Sequence, residues 1–134
     1  MIMGTGVDIV DIHRFERVIR RSPRLVQRLF TDQEQQLPVS SLAGRFAVRE
    51  AVAKVLHAPP GMVWRDCWVE KNRDGAPRLV TTGTVRATAE RLGINRWHIS
   101  ITHDGGCAVA TAVAERLTAE ELAAARALEE STWD

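Results

Sequence analysis

Cysteine is scarce in this chain, and no sign of charge dominates it. Among 134 residues there are two cysteines, Cys67 and Cys107, both in apolar, strand-like stretches and without C-x-x-C spacing. That excludes a zinc cluster and a disulfide framework, and it fits a reducing compartment such as the cytoplasm. The formal net charge is only +1, which argues against bulk capture of nucleic acid or a membrane surface. No apolar run reaches the roughly 20 residues that span a bilayer. The opening "MIMGTGVDIVDIHRF" lacks the basic segment and apolar core of an export signal, so a cytoplasmic location is expected. Repeats, low-complexity tracts and linkers are also missing. Gly4-x-Gly6 precedes a strand instead of following one, which is the wrong context for a dinucleotide fingerprint. The four histidines fit neither a zinc spacing nor a Ser-His-Asp order.

What is there reads as one globular domain. A chain of this length buries roughly 65 to 70% of the surface that its unfolded form exposes. Its 45% hydrophobic and 26% charged residues are ordinary for a soluble fold. The charges are unevenly placed, however. Arg14, Arg17, Arg20, Arg21, Arg24 and Arg28 share their segment with a single acid, Glu16, while Glu115, Glu120, Glu121, Glu129, Glu130 and Asp134 make the C-terminal end acidic. A basic patch near the N-terminus follows.

Along the chain, the β-branched run from Val7 to Ile12 predicts a buried strand, interrupted by Asp8 and Asp11. Asp11 suits the cap of a helix whose apolar residues are Ile12, Phe15, Val18 and Ile19, with Arg14, Arg17 and Arg21 on another face. That helix should stop at Ser22-Pro23. Leu25 to Phe30 reads as a second short helix, and Thr31 with Glu34 as a capping box. Pro38 and the serines after it read as a loop. From Leu42 to His57 the pattern predicts the longest helix, ended by Pro59-Pro60-Gly61. "DCWVEK" and "PRLVTT" flank Asp74-Gly75 as a hairpin. Thr84 to Leu92 predicts an amphipathic helix ended by Gly93, and a second hairpin turns at Asp104-Gly105-Gly106. Thr118 and Glu121 cap a last, Ala-rich helix. The domain spans residues 1–117, with 118–134 as its helical extension.

The long helix is apolar on nearly every side, yet it carries Glu50 and Lys54 one turn apart. They share a face with the small Ala43 and Ala47, while Arg45 and Arg49 lie on another. An i,i+4 ion pair is one reading; a carboxylate and an ammonium left open to a ligand is the other. Asp8 also has two readings, a strand-end acid bonded to backbone or an acid that needs a cation. If the strand lies against the helix, Asp8 and Glu50 make an oxygen site suited to Mg²⁺ with retained waters and a phosphate, and Lys54 completes a phosphate clamp. Taken alone, His103 reads as a structural histidine and Asp104 as a turn residue.

The blocks "GTGVDIVDIHRF", "LFTDQE", "LAGRFAVREAVAKVL", "DGAPRL" and "WHISITHDGGCAVATAVAE", in this order and spacing, resemble the small trimeric 4'-phosphopantetheinyl transferases, the holo-[acyl-carrier-protein] synthase family. The resemblance implies an α+β fold, a small mostly antiparallel sheet packed on a long central helix, assembled as a homotrimer. It implies transfer of the phosphopantetheine arm of coenzyme A to a serine of acyl carrier protein, leaving adenosine 3',5'-bisphosphate. By motif it makes Asp8 and Glu50 ligands of Mg²⁺, with Mn²⁺ as a possible substitute, and Glu50 a candidate to take the serine proton. It brings Lys54 to the coenzyme phosphates. Gly61, Thr102 and His103 would contact coenzyme A in a site shared between subunits, with Asp104 as a further catalytic candidate. The family's carriers are acidic, so Arg14, Arg17, Arg21, Arg24 and Arg28 become the docking face for a carrier of fatty-acid synthesis or of a secondary pathway.

The chain departs from the family pattern at Arg49, where a lysine is usual, and at "HAPPG", where a Gly-rich loop is usual. Two rival classes remain. A binding module would use the arginine face alone. A Mg²⁺-dependent nucleotide hydrolase is disfavoured because the chain has no Gly-rich phosphate loop.

Overall fold

Glycine and alanine decide how closely the two layers of this protein approach. The computed structural model describes residues 1–134. Strand β1 (Ile2–Asp11) leads into helices α1 (Ile12–Arg21) and α2 (Pro23–Leu29), then a 3-10 turn (Glu34–Gln36) and the longest helix, α3 (Val39–Val55). A second 3-10 turn (Trp64–Asp66) precedes the hairpin β2 (Cys67–Lys71) and β3 (Pro77–Thr81). Helix α4 (Gly83–Arg91), the hairpin β4 (Arg96–Asp104) and β5 (Cys107–Glu115), and helix α5 (Ala119–Thr132) complete the chain. There are two sheets, both antiparallel: β1-β5-β4 and β2-β3.

α3 crosses one face of the three-stranded sheet. The register puts Gly6, Ala112 and Ile99 in one cross-strand row of that face, Asp8, Ala110 and Ile101 in the next, and Val10, Ala108 and His103 in the third. From β5 the face presents only Ala108, Ala110, Ala112 and Ala114, each at most 1% exposed, opposite Ala43, Ala47 and Ala51 of α3. Small residues on both layers let the backbones close up. At Gly6 the approach is extreme, because a Cβ there would stand 2.0 Å from the carbonyl oxygen of Ala51.

Local rules account for the connections. Asp11 caps α1 by accepting from the Arg14 N–H at 2.9 Å, and Thr118 caps α5 by accepting from the Glu121 N–H at 3.1 Å. Gly105 and Gly106 both have positive φ, as a two-residue hairpin turn with the right twist requires.

Four expectations need correction. β1 is an edge strand with one open face, not a strand buried on both sides: Val7 and Ile9 are 56% and 63% exposed. Ile12 begins α1. Pro38 and the serines do not form a loop; α3 starts at Val39 because proline is well tolerated just before a helix, and it ends at Val55, short of His57. The single sheet expected from the resemblance is two sheets, since β3 and β4 share no ladder.

An ion pair ties α3 to the α2 side. Arg49, 1% exposed, donates from Nη2 to Glu34 Oε1 at 2.5 Å and from Nη1 to Oε2 at 3.1 Å. Its Nε donates to the Trp64 carbonyl at 2.9 Å, and its guanidinium lies over the Phe30 ring. The Thr31 capping box holds Glu34 in place. These contacts engage Nε, Nη1 and Nη2 of Arg49 within the fold.

The backbone contact at Gly6 should be unforgiving. Gly6→Ala is expected to lower the free energy of unfolding by about 1–3 kcal/mol in a urea titration. Gly4→Ala should cost less, because there the new methyl meets only a side-chain methyl of Val55, at 3.2 Å.

Candidate active site

The close approach at Gly6 fixes where the polar groups of the two layers meet. Glu50 immediately precedes Ala51 on α3, and Asp8 lies one row along β1 on the face that meets the helix. Lys54, one turn beyond Glu50, reaches the same place: its Nζ donates to Asp8 Oδ1 at 3.2 Å and to the Val7 carbonyl at 2.7 Å. Asp8, Glu50 and Lys54 are therefore brought together by a strand and a helix far apart in the chain.

The two acids are not fully compensated. Burial, and next to it the Asp8 carboxylate, pushes the Glu50 carboxyl above its ordinary range, while Lys54 pulls it back. Two carboxylates share one ammonium. Asp8 and Glu50 also line a cavity of about 270 Å³ whose apolar walls include Phe15, Val18 and Phe46 and whose rim carries Arg14.

An excess of one negative charge on hard oxygen donors fits a divalent cation such as Mg²⁺. No cluster of three or more His, Cys, Asp or Glu side chains offers a closed metal cage. A cation at Asp8 and Glu50 would therefore take its remaining ligands from water and substrate oxygens.

The other candidates lie elsewhere on the chain. His103 sits by the N-terminal end of α3, its Nε2 3.0 Å from the Ser40 carbonyl oxygen, and Gly44 leaves room for its ring. Thr102 and Asp104 are on the opposite face of the sheet from α3 and are exposed. Asp104 accepts from the Gly105 N–H, as a turn residue does. Gly61, at φ +81°, has open space around it in the loop after α3, where His57 and Ala58 also have positive φ. Within one chain Gly61, Thr102, His103 and Asp104 do not join the Asp8–Glu50–Lys54 group.

Arg14, Arg17 and Arg21 on α1 and Arg24 and Arg28 on α2 are all exposed. None forms a salt bridge, whereas Arg20 is tied to Glu16 at 2.6 Å. Five cations on adjoining helices thus remain free.

Sequence reasoning missed Arg45. Its side chain is only 9% exposed, its Nε has no hydrogen-bond partner, and Glu34, 3.7 Å away, is already committed to Arg49. Burial, the larger influence, lowers its pKa, with Glu34 opposing and Arg49 adding to the shift. The sequence carried part of the signal, two arginines on one face of a buried helix, but that a single acid, Glu34, faces both is decided by the fold.

An edge-strand acid and a helix acid line a groove, with an ammonium bound to the strand acid, an arrangement whose chemistry suits phosphate-bearing substrates. The family model of the 4'-phosphopantetheinyl transferase superfamily matches residues 4–112, and the chain belongs to that superfamily. The holo-[acyl-carrier-protein] synthase of Kocuria rhizophila is 61% identical over 115 residues, 86% of this chain and 94% of that protein. That of Micrococcus luteus is 54% identical over 123 residues, 90% and 98% of the two chains. The solved Helicobacter pylori holo-[acyl-carrier-protein] synthase in complex with coenzyme A superposes with a TM-score of 0.73 at 29% identity, covering 84% of this chain and 100% of that one. Within the superfamily this chain is an enzyme of the holo-[acyl-carrier-protein] synthase type.

The position of Glu50 has a consequence for metal-free protein. Its folded pKa is raised, so its contribution to stability is complete in acid and is lost as pH rises through the raised value. In chelator-treated protein, Glu50→Gln should therefore raise the melting temperature at pH 7 relative to the parent, and the difference should vanish near pH 4. An equal difference at both pH values would contradict this.

Proposed function

We propose that this chain transfers the 4'-phosphopantetheine arm of coenzyme A to a serine hydroxyl of apo acyl carrier protein, with release of adenosine 3',5'-bisphosphate. The observation that carries the reading is the convergence of Lys54 with Asp8 and Glu50 at a groove. The relatives, named holo-[acyl-carrier-protein] synthases, and the neighbour bound to coenzyme A support it.

Asp8 and Glu50 would hold Mg²⁺, which when bound would supply charge neutralisation of the pyrophosphate and Lewis-acid polarisation of its phosphorus. The serine oxygen forms a bond to the phosphorus that carries the pantetheine, and the bond from that phosphorus to the bridging oxygen breaks. Glu50 takes the serine proton directly or through a water. Lys54 stabilises the charge on the departing phosphate.

The site is completed by a homotrimer. The sheet face opposite α3 is uncovered and carries the exposed Val7 and Ile9 next to β5, a surface that suits a second copy of the chain. Thr102 and Asp104 open onto that face, while His103 between them faces the start of α3. In our reading these three, with Gly61 after α3, meet coenzyme A across the subunit boundary, Asp104 in a catalytic role. Arg45, a buried cation whose Nε has no hydrogen-bond partner, adds a further place for an anionic group. The free arginines of α1 and α2 dock the acidic carrier in the cytoplasm by steering and rim ion pairs.

Mass spectrometry tests the reaction. With coenzyme A and Mg²⁺, apo acyl carrier protein should gain the mass of one phosphopantetheine. Asp8→Ala and Glu50→Ala should each abolish that gain while keeping a cooperative melting transition. Normal turnover in both variants would refute the assignment.

A further inference from the structure

Helix α5 lies outside the residues that the family model matches, and it is attached unlike any other helix. α3 buries eleven residues, whereas α5 buries none. Its side toward the protein offers Leu122, Ala125, Glu129 and Trp133, all only half-buried. Beneath it runs a groove of about 380 Å³ where β3 and β4, edge strands of separate sheets, come side by side without ladder hydrogen bonds. Leu79, Trp97 and Ile99 line this groove.

The two ends of α5 are held differently. Before it, Asn95 and Leu117 exchange two hydrogen bonds, each 2.8 Å, and Arg116 exchanges two with the N-terminal Met1. Those anchors belong to the sheet, and α5 starts just beyond them. Its far end is held by polar contacts. Glu129 accepts from Arg96 at 2.7 Å and from Arg78 at 3.3 Å, and Arg78 lies 4.4 Å from the centre of the Trp133 ring. The exposed pair Arg73 and Asp134, together with a bond from the Arg73 N–H to the Asp134 carbonyl, adds a last tie. Arg78 is also bound to Glu70, so it stays in place whether or not Glu129 is there.

One carboxylate shared between two strands is therefore the main polar hold on the helix. Exposed ion pairs contribute little, about 0–1 kcal/mol each. A 14-residue helix is marginal by itself, so release from the groove would cost α5 its helical hydrogen bonds as well.

We propose that α5 is a hinged strap, pivoting at the Asn95–Leu117 pair and latched by Glu129 across Arg78 and Arg96, which leaves the β3–β4 groove while the rest of the fold stays intact. Opening exposes the groove and the unpaired edges of both strands. The device acts independently of the transfer chemistry, because none of its members belongs to the Asp8–Glu50–Lys54 group.

Hydrogen exchange read by mass spectrometry tests the strap on the full chain. Amides of α5 should exchange through an opening that is insensitive to urea well below the unfolding midpoint, while those of α3 and β5 exchange only with global unfolding. Glu129→Gln should speed exchange in α5 at least about tenfold and leave α3 unchanged. Raising salt to about 0.5 M should act in the same direction. Equal acceleration of α3 and α5, or no change in α5, overturns the proposal.

Discussion

The contact of Gly6 with the carbonyl of Ala51 is the constraint on which the rest of the molecule depends. It is available only because position 6 has no side chain, and the alanines of β5 and α3 extend the same closeness across the sheet. Once strand and helix are this near, Asp8 and Glu50 have no room to avoid each other. Like charges in a half-buried setting are unfavourable, and a single lysine offsets only part of the cost. The fold therefore builds an electrostatic deficit that a bound cation can relieve. Stability and the gathering of these three charges draw on the same packing.

Two acid–base pairs on α3 show how burial divides the roles. Arg49 and Glu34 have side chains 1% and 5% exposed, with bidentate geometry and further partners for both. Removing either partner would strand a buried charge, at a cost of about 3–5 kcal/mol. Lys54 and Asp8 are 53% and 17% exposed and are joined by one longer bond. That pair can be rearranged by a ligand at small cost. One helix thus carries a fastening on one face and an exchangeable pair on another, which its apolar pattern alone does not reveal.

Much of this was legible in the sequence because local chemistry decides it. The Asp11 and Thr118 caps, the Asp74-Gly75 and Gly105-Gly106 turns and the helical periods each rest on a few neighbouring residues. The meeting of Asp8 with Glu50 and Lys54 was legible as a motif, and the geometry supplies the reason for it: Gly6 in "GVDIV" seats the strand, and Glu50 and Lys54 share the helix face that meets it. The failures were non-local. β-branched residues made β1 look buried, but whether a strand is an edge depends on pairings that are distant in the chain. Glu34 looked fully explained as a cap, which hid its pairing with Arg49 and the shortage of partners left to Arg45.

The central claim is that one divalent cation binds jointly to the strand acid and the helix acid. Electron paramagnetic resonance with Mn²⁺ in place of Mg²⁺, in the presence of coenzyme A, measures this directly. The account expects one tightly bound ion per chain, lost in Asp8→Asn and equally in Glu50→Gln. An ion retained at full occupancy and affinity in either variant would contradict it.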